Sequence, residues 1–169
     1  MDVEEAIQKR IEVRQFNEKP VPKEIKLKIL EAARLASSGM NSQHWRFILI
    51  DSKDDLKKLA EYSFSGKWIS NANFAIIVLT NPSYNFHQID AGRTITYMQL
   101  MAWNYGIGSC IYTGVDEKKI KEFFRIPENL TISAIVGFGY PAKRIVGKKK
   151  RLPLEEIAFY RKYNQKLSL

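Results

Sequence analysis

Apolar residues in this chain fall into two recurring patterns, helical spacing and short continuous runs, and their alternation predicts the order of elements. Val3, Ala6, Ile7 and Arg10 share one side of a short helix over 4–10 that delivers Arg10 and Arg14 to its far end. Pro20 and Pro22 break the chain there. Pro22 then suits the first position of a second helix, on which Ile25, Ile29, Leu30, Ala33 and Ala36 lie on one face. The continuous run 46–51 reads as a central strand in the interior. Ser52, with Asp55 following it in the same turn, is a capping signal for a third helix that carries Leu56, Leu59 and Ala60 inward. A second buried strand follows at 74–80, closed by Asn81-Pro82-Ser83.

The longest helical pattern covers 86–105. Its apolar residues (Ile89, Ile95, Met98, Leu100, Met101, Ala102 and Tyr105) spread over more than half of the circumference, which fits a helix buried on several sides, in a core or a subunit interface. Gly106 ends it. Residues 106–114 are extended and punctuated by glycine, a helix from Asp116 turns Ile120, Phe123 and Phe124 inward as far as Pro127, and 131–139 is a last apolar strand. A short helical pattern at 154–163 has no local partner. The expected architecture is α+β, a mixed or antiparallel sheet of about four strands flanked by helices, in one domain spanning 1–169. An apolar tail with nothing of its own to pack on predicts an intertwined homodimer, with 154–169 lying on the second subunit and the long helix forming the dimer core.

Composition narrows the chemistry. A chain of 169 residues, 45% hydrophobic and 12% aromatic, has material for one sizeable core. No run approaches the roughly eighteen apolar residues of a membrane span, and the acidic start 1–5 has no apolar stretch behind it, so a cytoplasmic protein without membrane contact is expected. Cys110 is the only cysteine and His44 and His87 the only histidines, which leaves no internal disulfide and too few soft ligands for a zinc site. The net charge of +9 points first to nucleic acid. Yet Lys143, Arg144, Lys148, Lys149, Lys150 and Arg151 hold six of those charges with no acid among them, and the remainder is only +3. A local cluster of that kind suits one phosphate group better than a nucleic acid.

Familiar phosphate motifs do not fit. Gly106 and Gly108 lack the third glycine of a dinucleotide fingerprint, because Ile111 stands there. Gly137, Gly139 and Ala142 fit the letters but lead into Pro141 and a basic run rather than an apolar helix. No loop ends in Gly-Lys-Ser/Thr, and there is no Gly-x-Ser-x-Gly elbow. What stands out is 36–47, where serines, a glycine, an asparagine and a glutamine supply polar edges and Trp45 and Phe47 anchor the loop.

Four dispersed pieces, taken in order, resemble the nitroreductase family of flavin enzymes over nearly the whole chain. Lys-Arg-Ile-Glu-Val-Arg-Gln-Phe at 9–16 is similar to the family's opening Arg-x-Ser-x-Arg/Lys-x-Phe. Residues 36–45 are similar to its Ala-Pro-Ser-Gly-x-Asn-x-Gln-Pro-Trp, and 106–114 and 139–156 follow in the expected order. The resemblance implies FMN held at a dimer interface, with NADH or NADPH as electron donor. Arg10, Lys149 and Arg151 would surround the phosphate, since guanidinium forks pair bidentately with phosphate oxygens. Arg14 would take the phosphate or the pyrimidine edge of the flavin. Ser38, Gly39, Met40 and Asn41 would come from the partner subunit to cover the ring, with Gln43 at its polar rim. The amides near Thr113 and Gly114 would face N5, and Lys67 would stabilise negative charge near the pyrimidine edge.

By the same resemblance the reaction is two-step, from NAD(P)H to flavin and from flavin to a small conjugated acceptor such as a nitroaromatic or quinone. No catalytic acid or base is assigned, because the cofactor carries the chemistry. Relatives that dehalogenate, fragment flavin or oxidise a dedicated metabolite carry lid segments, for which 66–86 offers little room. A flavin-storage or nucleic-acid-binding protein using Lys143 to Arg151 is a further alternative. Taken singly, Arg10 with Arg14, and 148–151, also fit solvated surface. Glu12 replaces the family's serine and would repel a phosphate unless it points away or pairs with Arg14. Ser37 and His44 stand where proline is usual, and His44 and Cys110 read as a structural hydrogen-bonder and a small buried residue.

Overall fold

The computed structural model describes residues 2–145 and 149–167; Lys148, counted in the basic cluster, lies outside them. Helix α1 (Val3–Lys9) opens with the Asp2 carboxylate accepting the Glu5 amide at 2.7 Å and closes at Arg10, whose backbone is already extended. Helix α2 (Lys23–Arg34) has Pro22 as its N-cap rather than its first residue. Strand β1 (Arg46–Ile50), α3 (Lys53–Glu61), β2 (Phe74–Thr80), α4 (His87–Asn104), β3 (Gly108–Tyr112), α5 (Glu117–Phe124) and β4 (Thr131–Gly139) follow, with α6 (Leu154–Ile157) in the tail. The Ser52 hydroxyl caps α3 by accepting the Asp55 amide at 3.4 Å. Gly106, at φ +71°, lets the chain leave α4 in the left-handed conformation, and the Ile107 amide returns to the Ala102 carbonyl at 3.0 Å.

The four strands form one antiparallel sheet in the order β1-β2-β4-β3. Side chains alternate across β2, so Phe74, Ile76 and Val78 join α2 and α4 on one face while Ala75, Ile77 and Leu79 join α3 and α5 on the other. Strand β4 does the same with Ala134, Val136 and Phe138 against Ile135. Both faces of the sheet are therefore covered.

Several expectations are corrected. The run 46–51 is an edge strand, since β1 pairs only with β2. A continuous apolar run reports two covered faces and carries no information about how many neighbours a strand has. Arg14 does not ride on the first helix, which ends at Lys9. Phe123, expected inward, is exposed and meets Tyr62 edge-on at 6.1 Å, because Ile120 and the partly buried Phe124 supply the inward face of the short α5. On α4, Ile95, Met98 and Ala102 are buried but Ile89 is exposed. The tail is helical only over Leu154–Ile157 and then turns back to pair Phe159 with Lys166. A short segment that buries little against the rest of the chain cannot sustain a longer helix.

Asn73, just before β2, ties the sheet to the N-terminal segment: its amide donates to the Asn17 carbonyl at 3.0 Å and its oxygen accepts the Tyr140 amide at 3.0 Å. Asn73→Ala should lower stability by about 1–2 kcal/mol. Urea unfolding should show the drop, with faster hydrogen exchange at the Asn17 and Tyr140 amides; unchanged exchange there would mean that the clamp does not hold the segment.

Candidate functional site

After α1 the chain runs extended along the outer edge of β3. The Val13 amide donates to the Ser109 carbonyl at 2.9 Å, Ala142 donates to Gln15 at 2.9 Å, and Asn17 to Tyr140 at 2.9 Å. This course turns Arg10, Glu12 and Arg14 toward one edge of the sheet. Arg10 meets Glu12 at 2.5 Å, and the Arg14 Nε lies 3.2 Å from Cys110 Sγ. Glu12 also accepts from Gln99 of α4 and from the Ile111 amide, each at 3.3 Å. The carboxylate thus pairs with Arg10, not with Arg14. Burial opposes its ionisation most strongly, but hydrogen bonds from Arg10, Cys110 and Gln99 and the Arg10 charge outweigh that and hold it below the ordinary 4.5. Burial pushes the Cys110 thiol up, Arg14 offsets this in part and Glu12 adds to it, which favours the protonated thiol.

Lys149 closes the other side of this group. Its ammonium donates to the Ile7 carbonyl, one of the acceptors left open at the end of α1. Desolvation, then repulsion from Arg10 and Arg151, holds Lys149 below the ordinary lysine range, so both arginines stand within electrostatic reach of Lys149. Arg151 is exposed and donates to the Lys150 carbonyl at 2.7 Å. Among the described residues, Glu12 is the one carboxylate paired with this group.

At the far end of β3, the Gly114 carbonyl accepts the amides of Phe64 at 2.8 Å and Ser65 at 3.3 Å. The amides of Thr113 and Gly114 have no backbone partner among the described residues. Tyr112, buried beneath, is pushed up to about 12 by burial, against a partial offset from the Ser63 hydroxyl. Lys67 is exposed, and its ammonium donates to the Glu61 carbonyl at 3.3 Å, away from Arg10. The structure does not join it to the cation group.

The loop between α2 and β1 is built differently. Met40, Asn41 and Gln43 all adopt positive φ, at 52°, 52° and 47°. Each such non-glycine residue carries strain that the surroundings must offset. The Gln43 amide donates to the Ser38 hydroxyl at 3.0 Å, and the Gln43 side chain reaches Asn41 Oδ1 at 3.2 Å. Gly39 lies against Phe86, where a Cβ would come within 2.6 Å of the ring. Its amide donates to the fully buried Asp90, 3.0 Å from Oδ2. His44 at the other end of the loop meets that same Oδ2 through Nε2 at 3.2 Å, while its Nδ1 accepts the Asn81 amide at 3.3 Å. This network assigns the ring proton to Nε2. Asp90 was not anticipated among the site residues. Its signal in the sequence is an acid at helical spacing with Thr94, Met98 and Ala102, all on the buried face of α4.

The loop enters β1 and the cations lie along β3, at opposite edges of the sheet. Three interstrand spacings, about 14 Å, separate those edges. One chain therefore carries two unlike polar regions, a cation-lined edge and a strained polar loop, on an antiparallel α+β scaffold. The family model of the Nitroreductase family matches residues 7–81 and 64–140, and the chain belongs to this family of oxidoreductases. Similar proteins from Archaeoglobus fulgidus and Methanothermobacter thermautotrophicus are both called "Putative NADH dehydrogenase/NAD(P)H nitroreductase". The first is 34% identical over 142 residues, covering 78% of this chain and 81% of that one. The second is 32% identical over 152 residues, covering 85% and 79%. Among solved structures, an FMN-dependent nitroreductase from Clostridium difficile has a TM-score of 0.83 at 27% identity, covering 91% of this chain and 96% of that one.

The lowered Glu12 gives a pH test. A carboxylate depressed in the folded state adds stability that is complete above its unfolded value of 4.5 and is lost as pH falls through the folded one. Glu12→Gln should therefore be less stable than the parent chain at pH 7, with the gap closing on acidification below that value. A gap in urea midpoint that stays constant down to pH 3 would contradict the pairing with Arg10.

Proposed function

We propose that the protein is an FMN-dependent oxidoreductase of the cytoplasm that uses NADH or NADPH and works as a homodimer with two shared sites. The observation that carries this reading is the gathering of Arg10, Lys149 and Arg151 at the end of α1, with Lys149 lowered by desolvation first and then by the two arginine charges. That donor set fits a phosphate dianion, which would relieve the repulsion and receive charge-assisted hydrogen bonds. Glu12 occupies one nitrogen of Arg10, so Arg10 brings its remaining donors to the phosphate. When bound, FMN would supply two-step redox chemistry between NAD(P)H and a small conjugated acceptor such as a nitroaromatic or quinone.

The chain's own residues bind, orient and shield. Arg14 stands along the same edge as Arg10 and is the cation available to the phosphate or the pyrimidine edge of the ring. The unpartnered amides of Thr113 and Gly114 are the donors available to the N5 edge. Lys67 lies two residues beyond Ser65, which bonds Gly114, and reaches the pyrimidine edge only by leaving the Glu61 carbonyl. Ser38, Gly39, Met40, Asn41 and Gln43 of a second copy cover the ring, because within one chain they lie across the sheet from the cations. Between Gly66 and Phe86 the chain is taken up by a 3-10 turn, β2 and a tight connection, which favours an open site over a lidded, specialised flavin reaction.

The dimer is supported by what one subunit leaves uncovered. Val3, Leu35 and Tyr97 are exposed around a groove of about 470 Å³ also lined by Ala6, Leu100 and Met101. In the tail, Leu152, Leu154, Ile157 and Tyr163 are exposed, and the backbone hydrogen bonds of 154–167 are all local. Apolar groups exposed on both a tail and a helical face call for a partner. Packing 154–169 on the second subunit, as part of the single domain 1–169, satisfies both.

Two experiments test the reading. The purified protein should show flavin absorption that bleaches with NADH or NADPH under anaerobic conditions. Arg10→Ala and Arg151→Ala should each weaken FMN about tenfold to a hundredfold with circular dichroism unchanged. Wild-type occupancy in both variants would sink the phosphate site. Removing the chain after Pro153 should convert the dimer to monomer in light scattering, and a dimer that survives the truncation would reject the exchanged tail.

A further inference from the structure

Asp90 is fully buried, yet none of the chemistry above uses it directly. It sits in the first turn of α4, where the helix dipole favours a carboxylate. Its contacts define a purpose. One oxygen takes both the Gly39 amide at 3.0 Å and His44 Nε2 at 3.2 Å, while the other accepts Arg93 at 3.1 Å and lies 3.3 Å from the same amide. Gly39 and His44 bracket the three residues with positive φ. The same carboxylate therefore grips both ends of a strained loop.

The surroundings leave that grip no substitute. Across the ring from Asp90, the His44 Nδ1 is taken by the Asn81 amide, and the ring stacks on Tyr84 at 4.9 Å and 22°. Phe86 blocks any shift of Gly39 toward α4. An amide at position 90 keeps one acceptor for the Gly39 amide and His44, but its NH2 then stands in the place of Oδ1, where it faces the Arg93 guanidinium at 3.1 Å and the Gly39 amide at 3.3 Å, donor against donor. A buried donor left facing a donor costs the desolvation of both groups.

We infer that Asp90 is a positioning residue that holds the Ser38–Gln43 loop in the shape with which it closes over FMN bound at the Arg10 group of a second copy. The inference rests on the proposed flavin dimer and adds to it the group that fixes its loop. The effect of Asp90 is consequently exerted in the partner's site, not in the site that contains its own Arg10.

Differently tagged chains, co-expressed and purified as mixed dimers, provide the test, with FMN affinity from flavin fluorescence as the readout. The Asp90→Asn homodimer should bind FMN about tenfold to a hundredfold more weakly. A mixed dimer of Asp90→Asn with Arg10→Ala should regain one site of parental affinity, since one site then has an intact loop and an intact Arg10. A doubly substituted chain paired with a parental chain should regain none. Equal affinities in the two arrangements would overturn the inference, because a fold-wide defect in the Asp90→Asn chain would spoil both sites alike. Should Asp90→Asn not fold, Arg93→Ala, at a half-exposed position, loosens the same carboxylate and should show the same pattern with a smaller loss. A parental protein that binds no FMN would overturn the proposed function itself. Tight parental binding that Asp90→Asn and Arg93→Ala both leave unchanged would overturn the role of Asp90 alone.

Discussion

Burial of β2 and β4 on both faces is the constraint from which the rest of the structure follows. A sheet with apolar side chains above and below must be covered above and below, and α2 with α4 on one side and α3 with α5 on the other do this. No face is left for a ligand. The polar chemistry is displaced to the two edges, where backbone groups and charged side chains remain within reach of water. Strand β3 receives the N-terminal segment and its arginines along its outer side, which also shields an otherwise open edge. The start of β1 receives the polar loop at the opposite edge.

Charge at the β3 edge is organised by opposition. Lys149 is drawn to the open carbonyls of α1 but stands against Arg10 and Arg151, so the protein holds a local excess of positive charge that an anion would relieve. Glu12 tempers the excess without cancelling it. Its two oxygens are shared among Arg10, Gln99 and the Ile111 amide, which fixes the carboxylate beside the sheet and leaves the outer donors of Arg10 free. An acid can occur within this cation group because its own hydrogen bonds tie it to the protein side of the guanidinium.

Much of this was legible in the sequence, and the gaps have physical causes. Element order followed from periodicity: 74–80 and 131–139 are strands as expected, and Gly106 does end the long helix. Ser52 is a cap because capping is local chemistry, decided within one turn. The position of β1 at an edge was not legible, since side chains report coverage of faces while neighbours are set by backbone pairing. The grouping of Arg10 with Lys149 and Arg151 came from resemblance, as residues so far apart in sequence carry no spacing signal. Partners of Glu12 and the role of Asp90 escaped for the same reason: which buried polar atoms meet is a property of the packed fold.

Helix α4 connects the polar loop and the cation group. Its first turn holds the loop through Asp90, and Gln99 holds Glu12, which in turn holds Arg10. Nine residues separate Asp90 from Gln99, a rise of about 13.5 Å along the helix. Buried on the sheet, α4 keeps its two contacts at that fixed spacing. A loop and a cation group kept that far apart cannot close on each other by local motion. In the proposed two-fold pair, the loop of each copy would meet the cations of the other through the same surfaces, so two equivalent sites would form where one chain by itself forms none.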